Sequence, residues 1–228
     1  MGPTPQERKE KSIALLKARG IPFLEHLPLI EAEDEVNPRS AEEIARRAIA
    51  CLLAIQVACD ASKDMSEADL DESRKFIWSV AEKFGVDNEF TPREKAFFDG
   101  APDMQSITDM TWKYEAYWPL IWALGLIETL DYPSDICDCD IAIRAVSKCS
   151  DFDDFMRHVN LRGTAEILDE ADLIYRYHWA CVDARINGRD APAGLHPGVV
   201  RERHSGLNWL IGKGVDYYDD WDMVDTST

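Results

Sequence analysis

Two histidines near the C-terminus are the side chains of this sequence best placed to do chemistry. His178 and His204 each lie on an apolar stripe with helical spacing. A neutral imidazole beside carboxylates can act as a general base or a metal ligand. A histidine on an apolar stripe is more often a core residue whose ring nitrogens are hydrogen-bonded. Both interpretations apply here: a structural pair, or a pocket shared with Glu202, Arg203 and Asn208.

A carboxylate cluster precedes the first histidine. Glu166, Asp169 and Glu170 fall within about one helical turn, where paired carboxylates could hold a metal or share a proton. A solvated acidic face is the simpler interpretation. Asp172 and Arg176 are four residues apart in the acid-first order, which favours an ion pair on one helix.

A third candidate acid lies in an aromatic block at residues 112–125. Glu115 shares a helix face with Trp118 and Trp122. Because an unpaired buried carboxylate is costly, we expect either a structural ion pair or an active-site acid. Arg162, Arg176 and Arg203 are the candidate ion-pair partners of Glu115.

The six cysteines show no C-x-x-C spacing. Cys137, Cys139 and Cys149 with Asp135, Asp138 and Asp140 form a weak metal-ligand pattern, whereas free thiols in a reducing compartment are the favoured interpretation. The sequence also contains no G-x-S-x-G, P-loop or G-x-G-x-x-G motif. We therefore predict no cofactor, no bound metal and no disulfide.

These observations define one candidate catalytic pocket between the last two long helices. It would combine carboxylates, histidines and arginines in a hydrolase-type site. Its candidate residues are Glu115, Glu166, Asp169, Arg176, His178, Glu202, Arg203, His204 and Asn208.

Helix signals along the whole chain would position these residues. Ser40 and Glu43 form a capping box, and Thr91 and Glu94 form a second one. Helices are expected over about 164–187 and 197–210, and the short loop between them predicts antiparallel neighbours. Convincing strand patterns are absent, so we predict an all-α fold, a compact bundle of roughly seven to nine helices with little or no β-sheet.

Burial and the tail carry further expectations. Trp118, Trp122, Trp179 and Leu207 are predicted to be core, and Pro119 should kink or interrupt its helix. The acidic, aromatic tail at 216–225 should either fray or dock through Trp221.

The charge of the chain limits its partners. The 228 residues contain 43 acids against 25 Lys plus Arg, a formal net charge of −18, which repels nucleic acids and anionic membranes. The longest apolar run, at 48–58, is too short to span a bilayer, and the N-terminus lacks a signal-peptide core. Such acidity suits either simple solubility, which is the favoured interpretation, or a basic protein partner. We expect a non-catalytic, cytoplasmic binding or inhibitor protein that could have a basic protein partner, and the hydrolase is the alternative. Oligomeric state stays open.

Several blocks resemble one family. Residues 112–125, 161–180 and 198–210, together with Trp221-Asp222 and Asp225-Thr226, are similar to hallmarks of domain of unknown function 4272. The resemblance starts near residue 39 and covers the rest of the chain. It implies a main helical domain at 40–228, preceded by an N-terminal helix and an irregular arm at 1–39, and it implies no particular activity.

Overall fold

The computed structural model describes residues 2–63, 65–100 and 102–228. Within these ranges the chain forms ten α-helices, one short 3₁₀ helix at Pro192–Gly194 and no strand. The only strand-like feature of the described residues is an isolated parallel bridge between Asn37 and Gly212. The all-α prediction is confirmed. The helices outnumber the seven to nine expected because two of them are only four or five residues long.

The helices are numbered in chain order. Their bounds are α1 Pro5–Ala18, α2 Ala41–Ala61, α3 Glu67–Phe84, α4 Pro92–Asp99, α5 Met104–Ala123, α6 Cys139–Ser147, α7 Phe152–Met156, α8 Thr164–Ile186, α9 Pro197–Ile211 and α10 Asp216–Asp219. No helix of the described residues combines the length and the hydropathy that crossing a bilayer would require.

The predicted caps explain where helices begin. Ser40 accepts a hydrogen bond from the Glu43 backbone, and the Glu43 carboxylate accepts one from the Ser40 N–H. Thr91 and Glu94 repeat this reciprocal arrangement at α4. Each box satisfies backbone donors that the first helical turn would otherwise leave without partners.

The chain groups into two units that are discontinuous in sequence. Unit 1 comprises residues 1–39, 129–136 and 162–228, and unit 2 comprises residues 40–128 and 137–161. A boundary does fall between residues 39 and 40, where the sequence predicted one. The N-terminal segment, however, groups with α8 and α9, so contiguous domains at 1–39 and 40–228 stay a prediction.

Unit 2 is built around the apolar helix α2. Thirteen of its residues are buried, and alanines such as Ala45 and Ala48 let neighbouring backbones approach closely. The helix packs against α5, α3 and α4. Trp118 and Trp122 are 5% and 3% exposed, which confirms their prediction as core. Helix α5 runs through Pro119 without interruption.

Unit 1 is built around α8, which packs against α9 and α1. Leu207 is fully buried, as predicted. Trp179 is only half-buried, so its prediction as core was wrong. The reason is angular: Trp179 lies one residue, about 100°, away from His178 on the buried stripe of α8.

Candidate functional site

The candidate carboxylates of α8 form ion pairs. Glu166 pairs with Arg162 at 2.6 Å, in the first turn of the helix. Asp169 binds Lys11 at 2.6 Å and the buried guanidinium of Arg8 at 3.3 Å. Asp169 therefore joins α8 to α1, and both carboxylates have structural partners.

The predicted ion pair between Asp172 and Arg176 is confirmed and lies in the core. The carboxylate accepts from Nε of Arg176 at 2.8 Å and from Nη2 at 2.6 Å. The two side chains are 0% and 1% exposed. This two-point geometry matches the fork of the guanidinium, and it offsets much of the cost of burying both charges.

Glu115 belongs to unit 2, whereas the other eight candidate residues belong to unit 1. It is 1% exposed, and its Oε1 accepts a hydrogen bond from the Cys137 backbone N–H at 2.6 Å. The carboxylate thus receives a main-chain donor, and the ion pair with an arginine that the sequence suggested stays a prediction. Its role as an active-site acid stays a prediction.

His178 and His204 meet at the interface of α8 and α9. Their Nδ1 atoms are 2.9 Å apart, and the rings are edge to face with centroids 5.2 Å apart. The expectation that the two helices pack together and share this interface is confirmed. Both rings are at least nine-tenths buried.

Hydrogen bonds extend from the histidine pair to the tail. Nδ2 of Asn208 lies 3.1 Å from Nε2 of His204, and it also donates to the Asp225 carbonyl at 2.9 Å. His178 is bonded to the Thr226 backbone. One assignment of the histidine tautomers satisfies this series of hydrogen bonds. Asn208 donates to His204, His204 donates to His178, and His178 donates to the carbonyl of Thr226.

Burial holds both imidazoles neutral. Desolvation, helped by Arg201 and Arg185, lowers the pKa of His178 to about 4. Desolvation and the neighbouring His178 lower the pKa of His204 to about 3, against a smaller raising effect of Asp225. A general base that works near neutral pH needs a pKa closer to 7. The pair and Asn208 connect α8 and α9 to the tail.

The remaining two candidates, Glu202 and Arg203, contact different groups. Glu202 pairs with Arg201 at 2.8 Å. Arg203 is 1% exposed and donates to the Asp131 carbonyl at 2.7 Å. Arg203 lines a cavity of about 190 Å³ in unit 1, whose lining includes none of His178, His204 and Asn208.

A different set of metal-ligand side chains lies in unit 2. Cys149, Asp154 and His158 place ligand atoms within 4.8 Å of one another. Asp154 accepts from the Ser150 N–H at 2.8 Å and pairs with Arg157 at 3.1 Å. These bonds account for the position of the carboxylate without an ion, and the prediction that the chain binds no metal stays a prediction.

Two acidic segments, residues 31–35 of the arm and the tail at 216–225, both belong to unit 1, where the arm and the tail region are in contact. Asn37 of the arm bridges to Gly212 at the end of α9. The Arg39 guanidinium lies 3.8 Å from the ring centre of Trp209 and pairs with Asp219 of the tail. Trp221 is 4% exposed and packs edge to face on Trp209. The tail is therefore docked through Trp221. Of the two alternatives predicted from the sequence, fraying and docking, the structure shows docking.

Carboxylates from both segments remain at the surface. The Asn37–Gly212 bridge and the Arg39–Asp219 ion pair place the end of the arm beside the tail, and burial raises the pKa of Tyr218 in the tail to about 12. We call the surface formed by these carboxylates the acidic face; its acids are Glu31, Glu33, Asp34, Glu35, Asp216, Asp219, Asp220, Asp222 and Asp225. All of them are exposed except Asp222, which is half-buried.

The sequence indicated each acidic segment but not their contact. About 180 positions separate them, and the contact depends on Arg39, whose side chain reaches both Trp209 and Asp219. A lone arginine at the end of an irregular arm carries no signal of such a role.

The protein is all-helical, and its buried histidines and acidic face lie in the unit that contains both chain termini. The sequence profile of the family described as domain of unknown function, DUF4272, matches residues 8–224, and the chain belongs to that family. The match begins about thirty residues before the start expected from the sequence blocks, so it includes most of α1 and the arm. Neither the curated proteins nor the solved structures that were searched gave a match.

Proposed function

We propose that this chain is a non-catalytic binding or inhibitor protein of the cytoplasm, and that its acidic face binds a basic protein partner. The observation that carries the proposal is the junction of the arm and the tail, which collects nine acids on adjacent surface segments of unit 1. The net charge of −18 points to the same class of partner. The six free thiols suit a reducing compartment.

Electrostatics favour a lysine- or arginine-rich partner. Complementary charge accelerates encounter and selects against anionic competitors, so nucleic acids and anionic membranes are disfavoured. Two apolar side chains lie among the acids: Tyr217 is 56% exposed and Met223 is 63% exposed. Such side chains serve as anchors at the centre of an interface, with the charges forming its rim.

Docking of the tail should increase the affinity. Trp221 and Asp219 contact Trp209 and Arg39, and the Asp225 and Thr226 backbones are bonded to Asn208 and His178. A surface that is ordered before binding loses less conformational entropy when the partner arrives. The buried polar groups of unit 1 thus hold the tail part of the acidic face in one conformation.

The geometry gives the hydrolase alternative less support. A histidine that acts as general base should be accessible and should titrate near neutral pH. His178 and His204 are buried and are bonded to each other, and burial depresses the pKa of both.

The experiment compares three forms of the chain as baits in a native lysate. The face variant carries Glu33→Gln, Asp34→Asn and Asp216→Asn. The matched control carries Glu72→Gln, Asp140→Asn and Asp153→Asn, three exposed acids of unit 2. Both variants lose the same formal charge by the same types of substitution. Recovered proteins are quantified by mass spectrometry at increasing salt.

The proposal predicts a basic protein that the wild type and the control recover and the face variant loses. Its recovery should also fall as salt screens the charges. Equal recovery by the face variant and the control would contradict a dedicated face, and so would a partner whose recovery ignores salt.

A further inference from the structure

A partly open cavity of about 190 Å³ lies within unit 1, apart from the acidic face. Its walls come from the end of α1, from residues 130–133, from the middle of α8 and from Arg203 on α9. One part of the wall is apolar and includes Leu15, Leu173 and Ile174. The other part is polar and contains two arginines, two tyrosines and the two acids Asp131 and Glu170.

Arg19 lies at the exposed rim of this cavity on an aromatic support. Its guanidinium carbon is 4.8 Å from the ring centre of Tyr132 and 5.8 Å from that of Tyr177. It also donates to the Tyr177 hydroxyl. Stacking fixes the plane of the guanidinium. A guanidinium has five N–H donors, so donors remain for a ligand.

Arg203 supplies a second, fixed positive charge deeper in the wall. Its side chain is 1% exposed, and its Nη1 lies 3.4 Å from an Asp131 carboxylate that is itself 53% exposed. The guanidinium is the more buried member of this ion pair.

We propose that this cavity binds a small monocarboxylate with an aromatic or branched apolar body. The carboxylate lies at Arg19 and Tyr177, near the charge of Arg203, and the apolar body lies against Leu173 and Ile174. The site is separate from the acidic face and does not depend on a protein partner.

The size of the cavity limits the ligand. Its volume of about 190 Å³ exceeds the roughly 150 Å³ of an engineered cavity that holds benzene. A benzene ring with one carboxylate therefore fits, whereas a nucleotide does not.

The lining contains two arginines and two acids, and one of the acids, Asp131, is 53% exposed and paired with Arg203. Burial is the largest cause that raises the pKa of Glu170, and the nearby charges act in both directions. The preference for an anion therefore rests on Arg19, whose guanidinium lies at the rim beside the Tyr177 hydroxyl.

Three probes of one shape but different charge test the proposal: benzoate, neutral benzamide and cationic benzylamine. Binding to the full-length protein is followed by titration calorimetry and ligand-observed NMR. Benzoate should bind saturably at one site, and each of the other two should bind at least about tenfold more weakly.

Two variants test where the probe binds. Arg19→Gln should weaken benzoate about tenfold or more, and Lys17→Gln should leave the affinity unchanged, because Lys17 has the same charge but does not line the cavity. Leu173→Trp, which fills the half-buried apolar wall, should abolish binding while circular dichroism stays unchanged.

Three results would overturn the proposal. Binding of benzylamine or benzamide as tight as that of benzoate would exclude a carboxylate site. A lack of saturation by all three probes up to about 10 mM would exclude a specific site. An equal loss of benzoate affinity in Lys17→Gln and Arg19→Gln would indicate diffuse attraction to surface charge.

Discussion

The two units of this chain bury different kinds of side chain. The central helix of unit 2, α2, buries mainly alanine, isoleucine, leucine and valine, and its one buried charge, Arg47, pairs with the buried Glu94. Helix α9 of unit 1 buries Glu202, Arg203, His204 and Asn208 among its apolar residues. Helix α8 adds a buried ion pair and a second histidine.

This difference assigns different roles to the units. An apolar core stabilises a scaffold but specifies little at the surface. Buried polar groups cost free energy unless they are bonded, so their concentration in one unit indicates positions that must be held accurately. In unit 1 those groups fix the arm, the tail and the wall of the cavity. The comparison therefore supports the proposal that the binding surface lies in unit 1.

The largest effect should come from the apolar core of unit 2. Trp122→Ala should lower the free energy of unfolding by about 3–5 kcal/mol, because it removes a 3% exposed indole and leaves a void. Urea unfolding followed by circular dichroism measures this change. A loss below about 1 kcal/mol would show that the indole is not part of the core.

A buried charge in unit 1 should be nearly as sensitive. Asp172→Ala should cost about 3–4 kcal/mol, because it leaves the buried Arg176 guanidinium without its carboxylate. Replacing both residues, by Asp172→Leu and Arg176→Met, should restore most of the loss. If the double variant is no more stable than Asp172→Ala, the cost does not arise from an isolated charge.

These sites also separate what the sequence could predict from what it could not. Helix periodicity placed Trp122 and the pair Asp172–Arg176 correctly, because all these contacts lie on one helix or on its apolar stripe. It also placed the two histidines at one interface. The acidic face and the cavity join segments more than a hundred residues apart, and no local pattern encodes such contacts. The prediction that Trp179 is a core residue was wrong, because Trp179 lies at the edge of the apolar stripe of α8, one position away from a buried residue.

Acid should destabilise unit 1 through its histidines. The pKa of His178 falls from an ordinary 6.5 to about 4 on folding, so between these values the unfolded chain binds more protons. Stability is complete above pH 6.5 and is lost as the pH falls toward 4. From pH 7.5 to pH 4.5 the loss from this group should be about 2–3 kcal/mol.

Two variants isolate that contribution. His178→Asn should show a smaller loss of stability between the two pH values than the wild type does. The exposed His26 is the control, and His26→Asn should behave as the wild type. Identical pH dependence in all three proteins would contradict the burial of a neutral histidine pair.

The smallest effect concerns a single cap in unit 2. Ser40→Ala should cost about 1 kcal/mol, because the first turn of α2 loses the hydroxyl that accepts from Glu43. Thermal unfolding should show a shift of a few degrees. Ser40→Asp keeps an acceptor and should be close to the wild type, whereas equal losses in the two variants would exclude the cap as the cause.

The most direct test of the assignment to unit 1 is a hydrogen-exchange footprint of the chain bound to the partner that its lysate pull-down recovers. Exchange is compared between the free chain and the complex at low salt. The account predicts new protection in residues 31–39 and 212–228, with unit 2 unchanged, and loss of this protection in the variant carrying Glu33→Gln, Asp34→Asn and Asp216→Asn. Protection confined to residues 40–128 and 137–161 would contradict it.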